Sequence, residues 1–256
     1  MIRWTLLGNL PAVRILLVLV GSACLIATVF LRQCVLEGRL LRADPNVLPS
    51  NPALMGFAVD RGRALFEAHC AACHGTAGQA DPARGIPSLN DADWLYGTGL
   101  VSDIEQVVRY GIRSSQPKSW NLAIMPAYAT PRPNPRDDAI QSLSPGNIRD
   151  LVEYLLAQQG HQADPAAAER GARLFAGVGG CYDCHASDAK SDSAIGAPNL
   201  TDGITLYGDG SRESLAMSIS YGRHGVCPAW VARITPAGIR EVALFVYSLS
   251  HPHGVG

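Results

Sequence analysis

The sequence has no excess of charge: 21 lysines and arginines face 22 aspartates and glutamates, for a net charge of −1. No basic surface therefore argues for nucleic acid, and no acidic surplus argues for a disordered chain. No period-2 segment of useful length occurs, so no sheet is expected. No cluster of acid–base residues suggests a hydrolytic site. Methionine is scarce, with Met1, Met55, Met125 and Met217 the whole supply, which makes each one worth weighing as a metal ligand.

Long apolar runs are scarce as well. Ile15 to Leu31 gives 17 residues without a charge, bracketed by Arg14 and Arg32. That is the short end of a membrane span, with both arginines able to reach the interface. A cleaved signal would need its small-residue site near Gly21–Ala23, which leaves too short an apolar core before it. The expectation is a retained anchor over 1–42, with its helix at about 13–33, followed by a tether over 43–56. Charges flanking the run do not fix its orientation.

A disulfide framework is missing too, despite seven cysteines. Four of them fall in two CxxCH pentads, Cys70, Cys73 and His74, then Cys181, Cys184 and His185. CxxCH reads as covalent attachment of c-type haem: both thiols add to porphyrin vinyl groups, and the adjacent histidine becomes the proximal iron ligand. A zinc or redox CxxC followed by chance histidine fits one pentad but not two in matched surroundings. Cys24 and Cys34 lie in or beside the apolar run and read as small membrane-facing residues.

The surroundings do match. RGRALF at 61–66 answers RGARLF at 170–175, GIPSLNDADWLYG at 85–97 answers GAPNLTDGITLYG at 196–208, and LSPGNIRDLVEYLL at 143–156 answers ITPAGIREVALFVY at 234–247. The chain is a tandem duplication, expected as an all-α pair of domains at 57–159 and 169–251, joined by a linker at 160–168. The first copy carries nine extra residues between Tyr110 and Met125 (15 against 6 in the second) and a proline-rich loop starting at Pro126. Ser144 and Thr235, each followed by proline, read as N-caps of the last helix in each copy.

These motifs resemble class I cytochrome c, and more closely the diheme CcoP/FixP subunit of cbb3-type cytochrome c oxidases. The resemblance runs over everything after the tether, although that subunit's membrane-proximal N-P-L-P and paired tryptophans have no counterpart in ADPNVLPSNPALM. It implies two covalent haems c, with Cys70, Cys73, Cys181 and Cys184 as attachment points and His74 and His185 as proximal ligands. Pro87 and Pro198 would each lend a carbonyl to the proximal imidazole. Trp94 and Tyr96 in the first copy, and Tyr207 in the second, would pack near the haem edge or serve as plain core.

Met125, in IMPAY, fits the distal ligand of the first haem. In the second copy the same frame places Cys227 ahead of Pro-Ala, with His224 as a competing ligand and a vacant position as the remaining alternative. Thiolate carries a full negative charge and would lower the potential, whereas thioether raises it. The function expected is electron transfer at a bacterial inner membrane. The protein would be single-pass with periplasmic haem domains. It would be fed by a quinol-oxidising complex or small cytochrome, and would serve a terminal oxidase or periplasmic reductase. A haem enzyme of sulfur-compound oxidation, similar to thiosulfate dehydrogenase, and a redox or gas sensor are the alternatives. No nucleic-acid partner is expected.

Overall fold

The computed structural model describes residues 10–129 and 142–251, so most of the proline-rich loop expected after Pro126 lies outside the described residues. The chain falls into two units, Met1–Asp44 and Pro45–Gly256. In the first, helix α1 runs Leu10–Arg42. It is longer than the apolar run predicts because helix-compatible residues carry it onward: Gln33 bonds Glu37 one turn later at 2.9 Å, and Arg39 and Arg42 sit at the negative end of the dipole. Val13–Arg42 is long and apolar enough to cross a membrane.

The second unit is helical, and among its described residues only isolated bridges occur in place of strands. In the first copy, a 3-10 turn at Leu48–Ser50 leads into α2 (Pro52–His69), which starts inside the expected tether and is capped by Asn51. Then come the one-turn α3 (Ala71–His74), α4 (Val101–Tyr110) and α5 (Pro145–Gln158). The second copy gives α6 (Pro165–Ala176), α7 (Tyr182–His185), α8 (Arg212–Tyr221) and α9 (Pro236–Ser250). Asp164 caps α6, so the helix begins inside the expected linker. The Ser144 and Thr235 hydroxyls accept from the amides of Asn147 and Gly238, as the sequence predicts.

The copies do not fold as contiguous blocks. The first helix of copy one, α2, packs on the last helix of copy two, α9, and α4 packs there too. Conversely α6 packs on α5, and α8 also meets α5. The closest crossings show the symmetry. A Cβ on Gly62 would stand 2.1 Å from the Glu241 carbonyl oxygen, and one on Gly171 would stand 2.1 Å from that of Asp150. Only glycine allows either approach. Beside them Phe66 meets Phe245 at 5.1 Å, and Phe175 meets Tyr154 at 5.2 Å. Arg61 pairs with Glu241 at 2.6 Å, and Arg170 with Asp150 at 2.7 Å. The two copies of the repeat thus exchange their last helices, each packing on the first helix of the other copy. The expected blocks at 57–159 and 169–251 describe the repeat but not the packing.

Candidate haem centres

The first pentad follows α2 directly and the second follows α6 after a glycine-rich turn, and each puts its histidine on a one-turn helix, with His74 and His185 amides bonded to the carbonyls of Cys70 and Cys181 at 3.0 Å. His185 is 8% exposed, and its Nδ1 lies 3.0 Å from the Pro198 carbonyl. That leaves Nε2 for iron. Burial lowers the pKa of both imidazoles, opposed by the facing proline carbonyl in each case. Pro87 faces His74, yet the His74 Nδ1 is buried with no hydrogen-bond partner. The carbonyl contact is closed in the second copy and looser in the first, where the Pro87 carbonyl still raises the imidazole pKa against burial.

The sulfurs follow the exchange. Met125 packs against the apolar cluster of α5, α6 and α8, whose members include Ile148, Leu151 and Phe175, and whose edge includes Cys181. Just after it, the Tyr128 hydroxyl donates to the Gly179 carbonyl at 2.7 Å. Cys227 lies on the other side. Burial first, then the charge of Cys227, then that of Cys73, pushes the Cys70 thiol up to about 12. Cys227 itself is pushed up to about 11 by burial and by Cys73. Trp230 then stacks near His69 at 5.1 Å, the position matching Tyr128. So Met125 lies with the second pentad and Cys227 with the first, the reverse of what contiguous domains predict.

The backbone explains the crossing. Ile112 and Cys227 bond each other's amides and carbonyls at 2.9 and 3.0 Å, and Met125 and Arg223 do the same at 3.2 and 3.3 Å. Tyr128 and Ala129 then bond the Ile219 and Ser220 carbonyls at the end of α8, as Trp230 and Val231 bond those of Val108 and Arg109 at the end of α4. His224 is exposed, and Met217 is 52% exposed on α8.

Tyr96 and Tyr207 each reach across to the other copy. The Tyr96 ring lies on Gly196, and the Tyr207 ring on Gly85, each glycine having positive φ. The Gly97 amide donates to the Ser193 carbonyl and the Gly208 amide to that of Pro82, both at 3.0 Å. Trp94 stays at home over Gly99. Sequence reasoning missed Arg113, Arg223, Tyr128 and Trp230. The matched positions of Tyr128 and Trp230 after each sulfur were their available signal.

Among the described residues, no three His, Cys, Asp or Glu side chains converge as a metal-ion site, and the seven cysteines are free. The pentads therefore do not assemble as a zinc centre. Two thiols beside a histidine with its outer nitrogen free, and a soft sulfur in the same pocket, fit covalent haem.

Residues 59–159 match the cytochrome c family model. The chain is 38% identical over 221 residues to the cbb3-type cytochrome c oxidase subunit CcoP of Rhodobacter capsulatus, covering 83% of this chain and 69% of that protein. It is 36% identical over 211 residues to CcoP of Cereibacter sphaeroides, covering 82% and 68%. It is 35% identical over 214 residues to FixP of Azorhizobium caulinodans, covering 83% and 67%. Together with the pentads and the helical fold, these identities show that the chain belongs to the CcoP/FixP family of c-type cytochromes.

Proposed function

We propose that this protein is a diheme electron carrier, anchored by α1 and delivering electrons to a cbb3-type oxidase, with each iron taking its sixth ligand from the opposite copy. The first haem is held by Cys70 and Cys73 and ligated by His74 and Cys227. The second is held by Cys181 and Cys184 and ligated by His185 and Met125. The observation that carries the assignment is the pair of crossed sulfurs, Cys227 beside Cys70 and Cys73 and Met125 against the cluster that reaches Cys181.

A six-coordinate haem passes electrons without binding substrate, and unequal ligands give the two haems unequal potentials. Iron acidifies a coordinating thiol, so Cys227 would bind as thiolate although burial keeps the free thiol protonated. The thiolate-ligated haem is then the lower-potential centre. Haem domains on the periplasmic side of a bacterial inner membrane follow from this role, as do a quinol-oxidising complex or small cytochrome upstream.

Rapid mixing of the reduced full-length protein with a detergent-solubilised cbb3 oxidase tests the role. The expected result is oxidation of both haems at a rate supporting oxidase turnover, with no thiosulfate-dependent reduction of ferricyanide. Thiosulfate turnover, or a reduced protein that the oxidase does not oxidise, would overturn the reading.

A further inference from the structure

The matched contacts of the two copies differ at one position. Arg113 and His224 follow matching Tyr-Gly pairs, yet His224 is exposed while Arg113 is turned inward. Arg113 is one of three described non-glycine residues with positive φ, at 49°, a backbone cost that persists where surrounding contacts impose it. Its guanidinium forks between the two sulfur-bearing loops. Nη2 donates to the carbonyl of Ala123 at 2.9 Å, two residues before Met125. Nη1 donates to the carbonyl of Gly225 at 2.8 Å, two residues before Cys227, and to the Tyr96 hydroxyl at 2.9 Å.

These partners are all neutral. Nε is buried without a partner, and none of the described ion pairs involves Arg113. A guanidinium holds its donors in one fixed plane. Its distinguishing contribution is geometric, because a planar fork ties two carbonyls at a fixed separation. The main chain completes the clamp, since Ile112, the residue before Arg113, is the one paired with Cys227.

We infer that Arg113 is a positioning residue shared by both haem sites, one fork holding the two ligand loops in register so that each sulfur stays on its iron. Loosening the guanidinium frees both loops at once, so a single substitution at Arg113 is felt at both haems.

The inference rests on Met125 and Cys227 being the ligands, and the test separates the two claims. Full-length mature protein is prepared as wild type, Arg113→Gln, Arg113→Lys and Tyr96→Phe, with Met125→Ala and Cys227→Ala as references. Two signatures are followed: the ferric methionine–iron charge-transfer band and the low-spin thiolate signal in paramagnetic resonance. Each reference variant should abolish one signature and spare the other. If both signatures are absent from wild type or survive these changes, the ligand assignment falls, and this inference with it.

With the signatures assigned, Arg113→Gln should raise the ligand-off, high-spin fraction at both haems by roughly tenfold, the loss expected for charge-assisted hydrogen bonds. Arg113→Lys keeps the charge but not the fork, and should raise both fractions less. Tyr96→Phe removes one of the three guanidinium contacts and leaves both carbonyl contacts in place, so it should raise both fractions less than Arg113→Gln does. Loss confined to one haem, or to neither, with two haems still attached, would overturn the shared role. If the glutamine variant fails to mature, the lysine variant decides by the same criterion.

Discussion

The pocket around His74 and the pocket around His185 use the same parts in the same order, yet their outer walls differ in kind. The wall supplied by α5 buries one apolar face, with Ile148, Leu151, Val152, Leu155 and Leu156, and keeps its charges at the rim, in Asp150–Arg170 and Glu153–Arg212. The wall supplied by α9 is buried from Ala237 to Val246 and takes charges inside. Glu105, 7% exposed, bridges Arg109 and Arg240, and Glu241, 1% exposed, holds Arg61. Buried pairs contribute little net stability but penalise wrong partners heavily, because removing one partner strands the other charge. The comparison therefore separates two questions. On the proposed ligation the sulfur would set the difference in potential, while the buried charges would decide which wall belongs to which pocket.

The largest effect that can break this comparison comes from deleting one haem. Replacing Cys70 and Cys73 by alanine should leave one covalent haem that retains the methionine–iron band and lacks the thiolate resonance. Replacing Cys181 and Cys184 should do the opposite. Contiguous domains demand the reverse assignment in both proteins, so a pair of spectra on the purified variants decides. Next in size, Cys227→Met should raise the potential of the His74 haem by on the order of 0.1 V or more, a fraction of the roughly 0.8 V spanned by axial-ligand choice. Potentiometric titration should then find two centres closer together, with the His185 haem unmoved.

Much of this architecture is legible in the chain. The pentads and the N-caps at Ser144 and Thr235 can be located by spacing, and the proline carbonyl opposite His185 and the two sulfurs follow from the resemblance to class I cytochrome c. The exchange cannot be read from either. Both copies offer an RG…LF helix and an (S/T)-P helix, so either pairing satisfies the same hydrophobic pattern, and glycine permits the close crossing in each. What distinguishes them is a set of contacts between residues far apart in the sequence. Glu153 occupies the position matched by Leu244, which is 0% exposed. Undoing the exchange would move that carboxylate into an apolar site and away from Arg212, a costly placement. Arg113 is illegible for a different reason: two of its three partners are backbone carbonyls, which no side-chain pattern encodes.

A smaller effect sharpens the same point through stability. Gly62→Ala forces a Cβ against the Glu241 carbonyl, and Gly171→Ala forces one against that of Asp150. Each should cost about 1–3 kcal/mol, as overpacking does. Hydrogen exchange locates the damage. Gly62→Ala should speed exchange in α9, in the other half of the sequence, and leave α5 protected, and Gly171→Ala should do the converse. Faster exchange in α5 of the Gly62 variant would mean that α2 rests on its own copy's last helix.

The smallest effect distinguishes the walls by acid. Arg170 holds the Asp150 carboxyl below its usual range, and Arg212, followed by the Asp164 amide, does so for Glu153. Carboxylates with depressed folded-state pKa contribute stability that is present above their unfolded values and lost as pH falls through the folded ones. Both pairs join α5 to the second copy. Acidification below about pH 4, where free carboxyls begin to protonate, should therefore loosen α5 from α6 and α8. The loss should be no more than about 1 kcal/mol per pair, since the arginines are half exposed and screened by solvent. Exchange measured against pH should show α5 losing protection progressively below that point in the wild type. In a protein carrying Asp150→Asn and Glu153→Gln, α5 protection should start lower and no longer vary with pH over that range. An unchanged acid response in that double variant would place the titrating groups elsewhere and remove the rim pairs from the account of what keeps α5 on the second copy.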